Sequence, residues 1–228
     1  MNTESQQDRL ACIEVNPSDS PLASIIWLHG LGADGHDFEP IAPQLQACLD
    51  IPTRFIFPHA PFRPVTINGG YIMRAWYDIA TFDISQPEDA DGIHASAGLL
   101  NTLIQREIHR GIAAHHIVLA GFSQGGAIAL HVGLRYPQRL AGILALSTYL
   151  PLAATVTAER HPANLNTPVF MGHGREDTIL PLHYGSASKQ LLQDLAYPVE
   201  WHSYDMPHSL CDEEINDIIK WLTRTLTT

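Results

Sequence analysis

Residues 115–130 read HHIVLAGFSQGGAIAL, and they place a single serine at a corner. Ile117, Val118, Leu119 and Ala120 form an apolar run rich in β-branched residues, which predicts a short buried strand. Ala127, Ile128, Ala129 and Leu130 open a helical pattern. Between the two, Gly121, Ser123, Gly125 and Gly126 allow a very sharp change of direction. A loop at such a place would more often carry several polar side chains; here the corner presents one hydroxyl.

Gly121-Phe122-Ser123-Gln124-Gly125 matches G-x-S-x-G, and the strand before it and helix after it make the motif a nucleophile elbow. The turn lifts the hydroxyl above the carboxyl edge of a sheet, where ligands bind in such folds. A serine hydroxyl needs a base, and the base needs an orienting acid. With this elbow the chain order is serine, then Asp or Glu, then His. GHGREDTILP (172–181) offers Glu176 and Asp177 just past a strand, and YDMPHSL (204–210) places His208 just past the last strand. Both loops should emerge on the edge that carries Ser123. Asp177 is the preferred acid, with Glu176 and Asp205 as alternatives, although Asp205 precedes His208 closely. His131 falls in the elbow helix, and His173 and His202 fall within strands. His161 and His183 read as surface or helix-start residues. The oxyanion of a tetrahedral intermediate also needs donors. One expected donor is the backbone N–H of Gln124, the residue after the serine. The second is the N–H of Leu31 in WLHGLGADG (27–35), where glycines flank it.

Outward from the elbow, short apolar runs alternate with longer amphipathic ones. Strands are predicted at 24–30, 53–58, 115–121, 141–147, 168–174 and 199–205. Helical spacing covers 36–47, 90–111, 124–136, 184–196 and 211–226. Strands separated by helices imply a mostly parallel sheet covered on both faces. RLACIEV (9–15) could add an antiparallel edge strand, and residues 60–87 form the longest irregular stretch. A long loop of this kind in a compact domain tends to be functional. The chain reads as one domain over 1–228, with no separate cap domain because the segment between ALSTYLP (145–151) and NTPVFMG (166–172) is short.

The 228 residues carry a formal net charge of −11, with no run of lysine or arginine. Nucleic acid and anionic membrane surfaces both attract clustered positive charge, so neither is an expected partner. No stretch is apolar for long enough to span a bilayer, so stable membrane insertion is not expected either. The N-terminus lacks the pattern of a signal peptide, and three scattered cysteines fit a reducing compartment, so a cytoplasmic location is expected. Thirteen histidines invite a metal reading, but no recognised ligand spacing is present and no metal or other cofactor is expected.

IIWLHGLGADGHDF, RAWYDI (74–79), GFSQGGAIAL, LAGILALSTYLPL (140–152), GHGREDTILPL and MPHSLCDEE (206–214) occur in this order along nearly the whole chain. Together they resemble the acyl-protein thioesterase and carboxylesterase family of small α/β-hydrolases. The resemblance implies an α/β-hydrolase fold, a triad of Ser123, Asp177 and His208, and oxyanion donors at Leu31 and Gln124. It also implies an apolar acyl groove bordered by Met73 and Trp76, with Tyr149 and Ile179 at positions that line it. Tyr149 stands where many relatives have Trp, and Tyr77 where Phe is common, which leaves the acyl preference open. The expected activity is hydrolysis of carboxylic esters and thioesters of small-molecule or acylated substrates. The alternatives are lysophospholipase, lactonase or peptidase action, or a non-catalytic binding protein on the same fold. Relatives often dimerise, so a homodimer is the expected assembly.

Overall fold

The computed structural model describes residues 10–16, 20–81, 83 and 86–227. Its strands are β1 (Cys12–Val15), β2 (Ala23–Leu28), β3 (Thr53–Pro58), β4 (Phe62–Val65), β5 (Tyr71–Arg74), β6 (Ile117–Phe122), β7 (Gly142–Leu146), β8 (Val169–Gly174) and β9 (Val199–Tyr204). Its helices are α1 (Ala42–Cys48), α2 (Ala90–His109), α3 (Gln124–Arg135), α4 (Val156–Glu159), α5 (Leu182–Asp194) and α6 (Asp212–Leu226). Seven strands form one sheet in the order β1-β3-β2-β6-β7-β8-β9. All neighbours pair in parallel except β1, which runs antiparallel to β3 at the edge and places Ile13 opposite Phe57.

The strands are apolar on both faces because helices cover both. Along β2, Ile26 and Leu28 face the layer that contains α2, α3 and α5, while Ala23, Ile25 and Trp27 face α1 and α6. Helix α2 buries Ile93, Ser96, Leu100, Leu103, Ile104 and Glu107, the three- and four-residue spacing of one helical face. Asp89 caps it, accepting the Gly92 N–H at 2.9 Å. Burying a side chain such as Ile25 or Phe55 stabilises the fold by about 1.5–3 kcal/mol relative to exposure.

Two predicted segments differ in detail. Residues 36–47 split into a 3-10 turn at Glu39–Ile41 and the short α1, because Pro40 and Pro43 cannot donate to the helical ladder. Part of the stretch at 60–87, read as irregular, is an antiparallel hairpin that pairs Pro64 with Ile72. Gly69 and Gly70, both with positive φ, turn the chain there. The parallel arrangement sets the carboxyl ends of β2, β3, β6, β7, β8 and β9 along one edge. The connections after the other five therefore converge where an elbow after β6 would face them.

Candidate active site

Ser123 is the N-cap of α3 and adopts φ 54°, ψ −122°, a conformation that side-chain-bearing residues rarely take. Such backbone costs about 1–3 kcal/mol and persists only where the surroundings enforce it. Here the Ser123 N–H donates to the Leu146 carbonyl at 2.8 Å, and the Ser123 carbonyl accepts from Thr148 Oγ1 at 2.7 Å. The glycines of the motif make the turn sterically feasible. A Cβ on Gly121 would overlap the Gly125 backbone, and one on Gly125 would overlap the Leu28 carbonyl.

Three side chains from three loops meet at this corner. The His208 ring, from the loop after β9, has Nε2 at 2.9 Å from Ser123 Oγ and Nδ1 at 2.6 Å from Asp177 Oδ2. An ionised carboxylate only accepts, so the ring proton sits on Nδ1 and Nε2 is free to accept from the serine hydroxyl. Asp177 is itself held in its loop, since the Ile179 and Leu180 N–H groups donate to Oδ1 at 3.0 and 2.7 Å. Burial would raise the Asp177 carboxyl, but the His208 and Leu180 bonds outweigh it and hold the group below the usual carboxylate range. The alternatives lie elsewhere. Asp205 pairs with Arg175 at 2.5 Å, and Glu176 is exposed.

The loop after β2 passes beside the serine: a Cβ added at Gly30 would stand only 3.4 Å from Ser123 Cβ. Leu31 is fixed from both sides. Gly32 N–H donates to the Arg74 carbonyl at 2.9 Å, and the Gly30 carbonyl accepts from His29 Nδ1 at 2.7 Å. His29 Nε2 accepts the Ala60 N–H at 3.0 Å, which assigns the tautomer. Burial lowers His29 to about 4, so this brace is neutral. Nothing in the sequence marked His29, or the Gln124 side chain, for such bracing. The Gln124 carboxamide accepts the Trp76 N–H and donates to the Tyr77 carbonyl, both at 2.7 Å.

The residues expected to line a groove fall in different settings. Met73 Sδ lies 3.6 Å from where a Gly32 Cβ would stand, close to the Leu31 loop. Trp76 is fully buried and donates its indole N–H to the His29 carbonyl at 2.9 Å. Tyr149 bonds Tyr77 hydroxyl to hydroxyl, and Ile179 is 48% exposed on the Asp177 loop. Among the described residues, no group of three or more His, Cys, Asp or Glu side chains is arranged to hold a metal ion, and no helix is long and apolar enough to cross a membrane.

A mostly parallel sheet covered on both faces, with a strained serine elbow and, among the described residues, no separate cap domain, defines an α/β-hydrolase. The phospholipase/carboxylesterase family profile matches residues 10–226, and the chain belongs to that family. It is 41% identical to an acyl-protein thioesterase 1 of Neurospora crassa over 90% of this chain and 87% of the relative. It is 38% identical to one of Gibberella zeae over 96% and 97%. Among solved structures, Zea mays acyl-protein thioesterase 2 is 30% identical with a TM-score of 0.81, covering 95% of this chain and 99% of that one. Arabidopsis thaliana SOBER1 is 31% identical with a TM-score of 0.84, covering 90% and 99%.

Proposed function

We propose that the protein hydrolyses carboxylic esters and thioesters through an acyl-enzyme on Ser123. The observation that carries this reading is the hydrogen-bonded chain from Ser123 through His208 to Asp177, set at a strained elbow. Ser123 Oγ attacks the acyl carbonyl carbon while its proton passes to His208 Nε2. Asp177 holds the tautomer and stabilises the imidazolium that forms. The tetrahedral oxyanion is held by the N–H groups of Leu31 and Gln124, each contributing about 2.7–4 kcal/mol. Collapse expels the alcohol or thiol, which leaves with the proton from His208. Water then attacks the acyl-enzyme, with His208 as base, and the acid departs. The named thioesterase relatives support the thioester arm, and this chemistry runs on side chains and backbone alone.

The test compares wild type with Ser123→Ala on p-nitrophenyl butyrate and a butyryl thioester. Turnover of both by wild type, and loss of both in the variant, is expected. A variant as active as wild type would overturn the reading. Cys12, Cys48 and Cys211 form no disulfide, which supports a reducing compartment such as the cytoplasm. The family resemblance supports a homodimer, which light scattering of the purified protein would check.

A further inference from the structure

His173 lies near the end of β8, fully buried, and the chemistry of the triad makes no direct use of it. Its ring is wedged between α5 and β9. A Cβ added at Gly185 would overlap its Nδ1, and the Trp201 ring centre lies 6.3 Å from its own. Its Nε2 is 2.8 Å from the Leu180 carbonyl oxygen and 3.5 Å from Asp177 Oδ2. A carbonyl only accepts, so the ring proton sits on Nε2. Burial lowers His173 below the ordinary imidazole value, so it donates as a neutral ring. We propose that His173 is a positioning residue for the acid of the triad: through Leu180 it holds the Asp177 carboxylate in line with His208. The proposal deepens the hydrolase reading and rests on it.

Leu180 is the link. Its N–H donates to Asp177 Oδ1 at 2.7 Å while its carbonyl accepts from His173, so it is gripped at both polar groups. The other carboxylate oxygen, Oδ2, accepts from His208 Nδ1 at 2.6 Å. A shift of Leu180 therefore turns the carboxylate and moves Oδ2 relative to the imidazole.

The two contacts of His173 predict opposite effects, and their lengths decide between them. An N–H facing Oδ2 draws charge from that oxygen, so its loss alone would favour the imidazolium of His208. Loss of the grip on Leu180 lets Oδ2 drift, so the imidazolium is left with less support. At 2.8 Å the Leu180 bond is well formed, whereas 3.5 Å lies beyond the usual N–H···O range. The second effect wins. The charged neighbours that act on His173 are Asp177 and His208, and Asp177 in turn feels both histidines. From α5 and β9 the ring meets Gly185 and Trp201, neither of which titrates, and Arg175 and Glu176 on the Asp177 loop are exposed.

The experiment measures kcat and KM for p-nitrophenyl butyrate from about pH 5 to about pH 9 in wild type, His173→Leu and His173→Gln. Leucine fills a similar volume without a donor, and glutamine keeps an N–H; thermal unfolding confirms that both variants are folded. In His173→Leu, kcat is expected to fall about 10- to 100-fold with KM little changed. The acid limb of kcat/KM is expected to move to lower pH by at least about half a unit. His173→Gln is expected to recover most of both. A folded leucine variant whose acid limb stays in place or moves to higher pH would overturn the proposal, as would a glutamine variant no better than leucine. Nitrogen-15 NMR of the wild-type histidines needs no variant. His173 is expected to carry its proton on Nε2, and a proton on Nδ1 instead would overturn the proposal. Failure of wild type to hydrolyse the ester would overturn the hydrolase reading beneath it.

Discussion

Gln124 donates its carboxamide N–H to the Tyr77 carbonyl at 2.7 Å while accepting the Trp76 N–H with its oxygen. The residue after the nucleophile thus uses its side chain to clamp the segment that follows β5, and leaves its backbone N–H at the start of α3. Gln124→Ala would leave a buried carbonyl and a buried amide unpaired. Each such group costs about 1–3 kcal/mol. Thermal unfolding should show the loss, and turnover should fall with it as Trp76 and Tyr77 shift. Unaltered stability would mean that water replaces both bonds.

The acid can be assigned by substitution. Asp177→Asn should lower kcat by about 10⁴, because the amide favours the wrong tautomer of His208. Glu176→Gln and Asp205→Asn should stay near wild type, since one is exposed and the other pairs with Arg175. Steady-state kinetics on p-nitrophenyl butyrate distinguishes them, and a larger loss for either alternative would reassign the acid.

Glycine at the elbow is required by space. Gly121→Ala and Gly125→Ala each drive a methyl into backbone rather than into a yielding side chain. Overpacking of this kind destabilises by about 1–3 kcal/mol, and more where backbone must move. Either variant should lose serine reactivity and melt earlier, measured by calorimetry. A variant with wild-type melting and turnover would show that the elbow is looser than its packing implies.

Glu214 should make stability depend on pH. It is fully buried with both carboxylate oxygens unpartnered, and burial pushes it up from 4.5 to about 8. Glu107, equally buried, is instead paired with Arg54 and Ser24, each at 2.7 Å, and is held low. For Glu214 the folded value lies above the unfolded one, so its contribution is fully present below about 4.5. As pH rises past that value the unfolded chain ionises first, and stability is lost until the folded carboxyl ionises near 8. Glu214→Gln cannot ionise. Its melting temperature relative to wild type should therefore climb between pH 5 and pH 8, and a constant difference would show that the folded carboxyl is already ionised.

The strand pattern was legible because parallel strands buried on both faces read as short apolar runs, and the six predicted runs coincide with six strands to within two residues at their ends. Chain order and loop position pointed to Ser123, Asp177 and His208, and His208 makes a hydrogen bond to each of the other two. The hairpin carrying Met73 was missed because its strands are four residues each and its exposed face bears the apolar Phe62 and Ile72, so apolar side chains do not mark a buried face. Trp76 illustrates a second limit. Its place in the motif implied a groove border, and carried no sign that its indole would bond the His29 carbonyl in the core. Partners from distant segments, such as His29 with Ala60 or Glu88 with Leu152, carry no local signature, since each bond joins residues that only the fold brings together.

The most direct test of an activated Ser123 is covalent labelling of the folded protein with a fluorophosphonate, followed by peptide mass analysis. One adduct on the Ser123 peptide, abolished by unfolding and by His208→Ala, is the expected result. No adduct on the folded protein, or an adduct on another residue, would contradict it.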